Sequence, residues 1–273
     1  MADQSGKVAW ITGASSGIGE ALAKGFVAGG GNVILSGRNI AELERVAREC
    51  GDEACCLILP FETTDSAALP DLVNKAVGWK SGVDMLVNNA VISQRSLAIN
   101  TDLAVYRKII EVDLLAPIAL TQALLPHLVD RGSGQLIMIS SVAGKAGVPM
   151  RTAYCAAKHG LIGYSDALRS EIAGRGVKVL VVTPGSVRTN VSRNALSADG
   201  SVRGTSDQAI DNGIDPVEVA KLIWQAASDG ARELLIAEGV EAAIPGLRAS
   251  DPEKLFDMVE AMVAQGYAQK MDG

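Results

Sequence analysis

Short apolar runs alternate along the chain with segments whose apolar residues recur at helical spacing. The runs are rich in Val, Ile and Leu and mostly lack an apolar/polar alternation, which is typical of parallel strands that are covered on both faces. We predict strands with the sequences KVAWIT (7–12), NVILS (32–36), ACCLIL (54–59), DMLVNN (84–89), GQLIMIS (134–140), VKVLVVT (177–183) and RELLIA (232–237).

Helices are predicted in the gaps between these strands. Strands that alternate with helices form βαβ units around a parallel sheet. The pattern therefore predicts an α/β fold of the Rossmann type, a doubly wound parallel sheet of about seven strands with helices on both faces. The predicted helices cover residues 17–28, 39–50, 65–79, 102–130, 152–173 and 215–228.

No linker or change of composition divides the 273 residues, so we expect a single domain with its core over about residues 7–237. Residues 190–213 are polar, rich in glycine and serine, and too long for an ordinary connection, which predicts a substrate loop. Apolar residues at amphipathic spacing predict a C-terminal helix over 251–268. We expect that helix to pack on the body of the protein or on a partner subunit.

Composition and charge narrow the class of partner. The chain has 48% hydrophobic residues, 29 glycines and a net charge of −6, which fits an α/β enzyme and gives no basic surface for nucleic acid. The first ten residues lack the features of a secretion signal, and the richest apolar window, 114–129, is interrupted by Pro117 and Pro126. We therefore expect a cytoplasmic protein with no membrane anchor and no nucleic-acid partner. No group of Cys, His, Asp and Glu has metal-ligand spacing, so no metal is expected.

A glycine-rich turn follows the first predicted strand. In TGASSGIG, residues 12–19, Ser15, Ser16 and Ile18 lie among the glycines of a strand-to-helix turn. Such glycines let the backbone approach a pyrophosphate, and the helix N-terminus offers N–H groups and the positive end of its dipole. The spacing G-x-x-x-G-x-G is not the common dinucleotide pattern, so the turn alone fits a phosphate site and close packing equally well. The glycines are Gly13, Gly17 and Gly19.

The end of the second strand bears on the choice of cofactor. NAD-specific folds place an acidic residue there to bind the ribose 2′-hydroxyl, but this position holds Ser36, followed by Arg38 and Asn39. A guanidinium binds a 2′-phosphate through charge-assisted hydrogen bonds. We therefore predict NADP(H) in preference to NAD(H). The alternative is that Arg38 is simply an exposed loop residue.

A tyrosine and a lysine lie one helical turn apart in TAYCAAKHGL, residues 152–161. Positions i and i+4 share a helix face, so the ammonium of Lys158 can lie near the phenol of Tyr154. A nearby cation favours the phenolate and lowers the pKa of a tyrosine from about 10, so the pair could exchange a proton with a substrate oxygen. Taken alone, the spacing more often marks a half-buried tyrosine beside a solvated lysine.

Five motifs in order resemble the classical short-chain dehydrogenase/reductase family over about residues 7–237. The motifs are TGASSGIG, NNA (88–90), Ser141, YCAAK (154–158) and PGSVRT (184–189). Each is weak alone, but their order and their places at strand ends are specific. The stretches GKAGVPMRTAYCAAKHGL and RNALSADGS are most similar to the branch related to 11β-hydroxysteroid dehydrogenase.

The resemblance implies a reaction and a role for each motif. Ser141 would bind the substrate oxygen, Tyr154 would be the general acid or base, and Lys158 would hold the nicotinamide ribose and lower the pKa of the phenol. Hydride would pass between NADP(H) and a secondary alcohol or its ketone or aldehyde. The long helices at 102–130 and 152–173 would form a homodimer or homotetramer. Further cofactor contacts are implied for Asn89, Ala90, Pro184, Gly185, Val187 and Thr189.

Three positions depart from the family pattern. Asp113 stands where the family usually has an asparagine that acts largely through its main-chain carbonyl. Because Pro117 follows four residues later and has no N–H, the Asp113 carbonyl is expected to stay free to hold a water near the lysine. A plain proline kink fits Pro117 equally well. Val91 replaces a usual glycine, and Glu62 stands where an aspartate commonly meets the adenine amino group.

Two other classes of function stay open. A non-catalytic NADP(H)-binding sensor or scaffold on a decayed fold of this kind would have lost Ser141, Tyr154 or Lys158, and all three are present. An epimerase or dehydratase on a related fold would carry a differently spaced glycine turn and a larger C-terminal substrate domain.

Overall fold

One parallel sheet of seven strands lies at the centre of the computed structural model, which describes residues 3–267. The strand order is β3-β2-β1-β4-β5-β6-β7, so the chain winds outward from β1 to one edge and then returns to build the other half. This confirms the doubly wound sheet. The strands are β1 Val8–Thr12, β2 Asn32–Ser36, β3 Cys56–Ile58, β4 Met85–Asn88, β5 Gly134–Ile139, β6 Val177–Pro184 and β7 Glu233–Ile236.

Helices cover both faces of the sheet. On one face α1 and α8 pack over the strands, and on the other face α3, α5 and α6 do so. In the described part of the chain the helices are α1 Gly17–Ala28, α2 Ile40–Glu49, α3 Leu69–Val77, α4 Leu103–Ile110, α5 Ala116–Arg131, α6 Thr152–Glu171, α7 Gln208–Asp211, α8 Pro216–Ser228, α9 Gly239–Ser250 and α10 Pro252–Ala264.

Strand side chains alternate between two hydrophobic cores. Ala9 and Ile11 of β1 face α1 and α8, while Val8 and Trp10 face α3, α5 and α6. Successive strand residues point to opposite faces, and both faces here are covered, so every position of β1 is buried. This is the physical reason that the strands read as continuous apolar runs.

The long helix predicted over 102–130 is interrupted where the sequence has Pro117. A π-helical turn, Glu111–Leu115, separates α4 from α5. Proline has no N–H and its ring clashes with the carbonyl four residues back, which is that of Asp113, so the α-helical hydrogen-bond pattern cannot continue there. The π turn places Asp113 in the interior, where its side chain is fully buried.

The segment Leu103–Arg131, which contains α4, the π turn and α5, is long and apolar enough to cross a membrane by length and composition alone. In this fold α5 packs on β5 and α3, and 44% of the most apolar stretch is buried inside the protein.

The C-terminal region differs in part from the prediction. The helix α9 was not predicted because Gly239, Pro245 and Gly246 are poor helix formers. The predicted C-terminal helix is confirmed as α10, which packs on α9 and buries Leu255. Ala268, the last residue of its predicted range, lies outside the described residues.

The end of β2 corrects one predicted cofactor contact. Ser36 is fully buried, its hydroxyl accepts from the indole N–H of Trp10 at 2.8 Å, and it donates to the carbonyl of Leu59 at 2.7 Å. Ser36 shares a strand face with Ile34, two residues earlier, and both point into the core with Trp10. The prediction that Ser36 contacts the cofactor is therefore wrong, because its hydroxyl joins β1, β2 and the end of β3.

We expect Ser36→Ala to destabilise the protein by about 1 to 3 kcal/mol, since it leaves the buried Trp10 N–H and Leu59 carbonyl without this partner. Urea denaturation measures the change. Ser66→Ala, at an exposed serine, is the control and should stay within about 0.5 kcal/mol of the parent. Weakened NADP(H) binding at unchanged stability would contradict this assignment.

Candidate active site

Three segments that the sequence assigns to a dinucleotide meet at the carboxyl ends of β1 and β4, where the strand order reverses. Gly13 has a φ of 65°, and a Cβ on it would lie 2.9 Å from the Cα of Ala90. Gly17 has a φ of 57°, and a Cβ on it would lie 2.9 Å from the methyl group of Thr189. The glycine turn thus touches both of the other segments, and a side chain at Gly13 or Gly17 would collide with them.

The start of α1 fits an anionic ligand. Its N-cap residue, Ser16, has an extended backbone and makes no side-chain cap, so the first N–H groups of the helix keep their capacity to bind a phosphate. Gly19 is also in close contact, since a Cβ on it would lie 2.3 Å from the carbonyl oxygen of Gly13. Close packing thus applies to all three glycines, and the phosphate site stays a prediction.

Thr12 ties the end of β1 to the end of β4. Its hydroxyl accepts from the N–H groups of Asn89 at 2.9 Å and Ala90 at 3.1 Å, and it donates to the carbonyl of Val87 at 3.2 Å. The amide of Asn89 donates back to the Thr12 carbonyl at 2.9 Å. The sequence analysis did not assign a role to Thr12, although its hydroxyl at a strand end was a usable signal. The contact of Asn89 with the nicotinamide half stays a prediction.

Arg38 lies two residues after the end of β2. Its side chain is 69% exposed, and its Nη1 lies 3.7 Å from the nearer carboxylate oxygen of Glu62. The side chain of Asn39 accepts from the N–H of Glu42 at 3.3 Å and so begins α2. The guanidinium can therefore turn toward a phosphate, but it would have to leave Glu62 to do so.

Ser141 lies directly after β5, in the turn that packs against α6. Its hydroxyl accepts from the N–H of Ala143 at 3.1 Å and donates to the carbonyl of Pro184 at 3.3 Å. A Cβ on Gly144 would lie 2.8 Å from the carbonyl oxygen of Lys158 on α6, so this turn and the helix are in close contact. The structure thus brings Ser141 to the helix that carries Tyr154.

The segment after β6 is held by an acid that the sequence analysis missed. The carboxylate of Glu241, in the first turn of α9, accepts from the N–H of Ser186 at 2.6 Å and from its hydroxyl at 2.9 Å. Gly185 donates to the carbonyl of Ile236 at 2.8 Å. The side chain of Val187 is buried in the core, so a contact between Val187 and a cofactor has to come from its backbone.

Lys158 is buried beside the tyrosine one turn away, as the spacing predicts. Its side chain is 3% exposed, and its ammonium lies 5.6 Å from the centre of the Tyr154 ring. The ammonium donates to the carbonyl of Ile139 at 3.1 Å and lies 3.4 Å from a carboxylate oxygen of Asp113. The lysine therefore joins α6 to β5 and to the π turn.

Asp113 contacts Lys158 through its side-chain carboxylate, whereas the sequence pattern predicted a role for its main-chain carbonyl. One carboxylate oxygen accepts from the N–H of Ile92 at 2.9 Å, and the other lies 3.4 Å from Lys158. Burial raises the pKa of Asp113 to about 6, against the opposing effects of Lys158 and the Ile92 N–H. A carboxylate, where the family pattern has an uncharged asparagine, thus lies next to Lys158.

The electrostatics of Tyr154 differ from the sequence prediction. Burial raises its pKa, Lys158 lowers it, the carboxylate of Asp113 raises it, and a hydrogen bond with Ser141 lowers it. The sum is a pKa above the ordinary value of a tyrosine. Lys158 lowers the pKa as the spacing predicts, but burial and the carboxylate of Asp113 outweigh it, so the expected net lowering of the pKa is not found in this structure.

The segment predicted to be a substrate loop, residues 190–213, is fastened to the body beside the start of α6. Leu196 of the loop donates to the carbonyl of Ser93 at 2.8 Å and accepts from the N–H of Arg95 at 2.9 Å. Between them, Gln94 accepts from the N–H of Ala153 at 2.9 Å, one residue before Tyr154. The segment after β4 therefore connects the loop to the helix that carries the tyrosine, and the sequence analysis missed it.

Asp207 of the substrate loop lies among three arginines. It lies 2.6 Å from Arg95 and 3.2 Å from Arg151, and it also pairs with Arg203. The side chains of Arg95 and Asp207 are 2% and 1% exposed. Burial by itself would raise the pKa of Asp207, but the guanidinium groups hold it below the ordinary value, so the carboxylate stays charged.

Removing this charge should destabilise the fold, because Arg95 would be left buried without its counter-charge. We expect Asp207→Ala to cost about 3 to 5 kcal/mol in denaturant unfolding. Asp199→Ala, at an exposed aspartate of the same loop, is the control and should cost less than about 1 kcal/mol.

The pH dependence of the Asp207→Ala effect has a defined sign. The pKa of Asp207 is lowered in the folded chain, so its contribution is present above the unfolded value of about 4 and is lost as the pH falls through the folded value. The stability difference between parent and variant should therefore shrink in acid. A difference that grows in acid would contradict the assignment.

Known proteins resemble this chain over most of its length. A family model described as short chain dehydrogenase matches residues 7–200. The dehydrogenase/reductase SDR family member 7B of Danio rerio is 39% identical over 239 residues, which are 85% of this chain and 77% of that protein. The dehydrogenase/reductase SDR family protein 7-like of Drosophila melanogaster is 39% identical over 244 residues, covering 88% and 74%.

Solved structures share the fold. The crystal structure of a short-chain dehydrogenase from Streptomyces avermitilis matches with a TM-score of 0.81 at 30% identity, over 97% of this chain and 99% of that chain. Two others share the fold at lower identity. One, from Burkholderia phymatum in complex with NAD, has a TM-score of 0.81 at 21% identity over 93% and 97% of the chains. The other, from Burkholderia cenocepacia in complex with NADP, has a TM-score of 0.77 at 22% identity over 93% and 98%.

Proposed function

The chain belongs to the short-chain dehydrogenase family, and from this premise we propose that it uses NADP(H) to interconvert a secondary alcohol and a ketone or aldehyde, with Tyr154 as general acid and base. Membership makes the chain an NAD(P)-dependent dehydrogenase/reductase that acts on a small molecule. The preference for NADP(H) and the role of Tyr154 are what the proposal adds.

The observation that supports the proposal is the assembly of Ser141, Tyr154 and Lys158 beside the glycine turn. Four strand ends contribute to this place: β1 with Gly13, β4 with Ala90, β5 with Ser141 and β6 with Pro184. A dinucleotide fits the residues present, since the tight approach of Gly13 and Gly17 to their neighbours keeps the turn free of side chains. In this proposal Ser141 and Tyr154 would contact the substrate, and Lys158 would hold the nicotinamide ribose.

Each group has a defined task in the reduction of a carbonyl. The bound dinucleotide supplies the hydride. Ser141 donates its hydroxyl hydrogen to the substrate oxygen in place of the Pro184 carbonyl that it contacts now. The phenol of Tyr154 gives its proton to the same oxygen as negative charge develops there, and Lys158 stabilises the phenolate that remains. Oxidation of an alcohol runs these steps in reverse.

The preference for NADP(H) rests on charge at the adenosine end. The last residue of β2 is the buried Ser36 and not an acidic residue that could bind a ribose 2′-hydroxyl. Arg38 beside it is mostly exposed and can pair with a 2′-phosphate. Glu62 competes for the same guanidinium, so the preference should be moderate. Solved relatives of the fold carry either NAD or NADP, and Arg38 is the residue of this chain that favours the second.

Oligomer and location complete the proposal. Leu103 and Leu115 are exposed along the helix formed by α4, the π turn and α5, which supports a homodimer or homotetramer built on this surface. The cytoplasm is the proposed location, since it supplies NADPH and the four cysteines are free thiols.

Tyr154→Phe should lower turnover by a factor of about 100 to 10,000, because the substrate oxygen loses its proton donor, while NADPH affinity changes by only a few-fold. A panel of carbonyl compounds followed by NADPH absorbance measures the rate, and fluorescence titration measures binding. Tyr164→Phe, on the same helix but half-buried against the core, is the control. Full activity of Tyr154→Phe would reject the proton-transfer role.

Arg38→Asp should move cofactor preference toward NADH, since it removes a cation that meets the 2′-phosphate and adds an acid that repels it. We expect the NADPH/NADH ratio of kcat/KM to fall by about tenfold or more. Arg48→Asp, at an exposed arginine within α2, makes the same charge change and should leave the ratio within about twofold. An unchanged ratio in Arg38→Asp would show that Arg38 does not determine the cofactor preference.

A further inference from the structure

Lys158 is paired with a buried carboxylate, that of Asp113, whereas the proposed mechanism uses the positive charge of the lysine. An isolated ammonium next to a phenol favours the phenolate. Here the ammonium shares its buried surroundings with a carboxylate at 3.4 Å, and the two side chains are 3% and 0% exposed. The carboxylate therefore offsets part of the ammonium's electrostatic effect on a third group, and at Tyr154 the effect of Lys158 is the larger of the two.

Few other charges face this place. From α6 come Tyr154 and Lys158, from the π turn comes Asp113, and from the segment after β4 comes Arg95, whose effect on Tyr154 is the weakest. Arg95 is itself paired with Asp207 at 2.6 Å. Tyr106 of α4, which packs in the same small cluster, shares a hydrogen bond with the hydroxyl of Thr152. The charge at Tyr154 is therefore set mainly by Lys158 and Asp113.

We propose that the Asp113 carboxylate offsets the charge of Lys158 at Tyr154, so that the phenol keeps its proton through neutral and mildly alkaline pH and the enzyme stands ready to reduce carbonyls rather than to oxidise alcohols. Asp113 is thus a positioning and tuning residue that acts through Lys158. This inference rests on the proposed function, since it assigns a preferred direction to the same site.

The protonation of Asp113 makes the effect depend on pH. Burial brings the pKa of Asp113 to about 6, so the carboxylate is charged at neutral pH and becomes neutral in mild acid. Above that value the carboxylate adds to the burial that raises the pKa of Tyr154. Below it, Asp113 resembles the neutral amide that the family pattern carries, and the offset disappears.

Asparagine is a close substitute that separates charge from shape. In Asp113→Asn the amide oxygen can still accept from the N–H of Ile92, which the carboxylate now does at 2.9 Å. Only the negative charge next to Lys158 is lost. A matched control is Asp84→Asn, at the residue directly before β4 and so at the opposite end of that strand. Asp84 also accepts a backbone N–H, from Val8 at 2.7 Å, and pairs with Arg131 at 2.6 Å.

The first test reads Tyr154 without any substrate. The chain has four tyrosines, so NMR of protein labelled with 13C at the tyrosine Cζ gives four signals, and Tyr154→Phe identifies the one required. In the parent the Tyr154 signal should remain that of the neutral phenol at pH 10, about the ordinary midpoint. In Asp113→Asn the midpoint should fall by about one pH unit or more, while Asp84→Asn leaves it in place.

The second test reads the reaction. In alcohol oxidation, Asp113→Asn should reach half of its maximal kcat/KM at a pH lower by about one unit, because the phenolate forms more readily. In carbonyl reduction its rate should begin to fall at a correspondingly lower pH than that of the parent. Below about pH 6 the reduction profiles of parent and variant should converge, since Asp113 is then neutral.

Two results would overturn the inference. One is a Tyr154 midpoint well below 10 in the parent, which requires no variant and so holds even if Asp113→Asn folds poorly. The other is an unchanged or higher midpoint in a folded Asp113→Asn. The proposed function fails separately, if Tyr154→Phe keeps full activity, because the NMR midpoint does not depend on turnover.

Discussion

The ammonium of Lys158 is the point at which the parts of the active site are joined. It is buried, bonds to the carbonyl of Ile139 at the end of β5 and lies beside the carboxylate of Asp113, which in turn holds the N–H of Ile92. A buried charge is costly unless its partners are well placed, and here the partners belong to a strand, a π turn and a loop. The contacts of the Lys158 ammonium therefore hold the strand, the π turn and the loop in place relative to one another. Tyr154, one helical turn from Lys158, is held in place with them.

Much of the fold follows from local sequence rules. The seven strands appear where the apolar runs lie, and the glycines of residues 12–19 form the tight turn because two of them adopt a positive φ. The spacing of Tyr154 and Lys158 places them on one face of α6, since helical pitch leaves no other arrangement. These features depend on residues that are neighbours in the chain, which is why sequence alone reaches them.

Other features depend on contacts between distant residues, and the sequence did not reveal them. Strand alternation already implied that Ser36 shares a face with Ile34, but its burial depended on Trp10 and Leu59 lying across that face. The pairing of Arg95 with Asp207 joins residues 112 positions apart, and no local pattern marks it. The raised pKa of Tyr154 has the same origin, because burial and Asp113 act on it only in the folded chain.

Buried ion pairs at Asp207 attach its loop to the body and limit how this region can change in evolution. Arg95, Arg151 and Asp207 come from three separate stretches of the gene, yet each depends on the others for a counter-charge in the interior. A change of the loop alone that displaced Asp207 would leave Arg95 or Arg151 without its counter-charge. Changes in this loop should thus arise through paired replacements in these stretches, or at exposed positions that leave the ionic cluster intact.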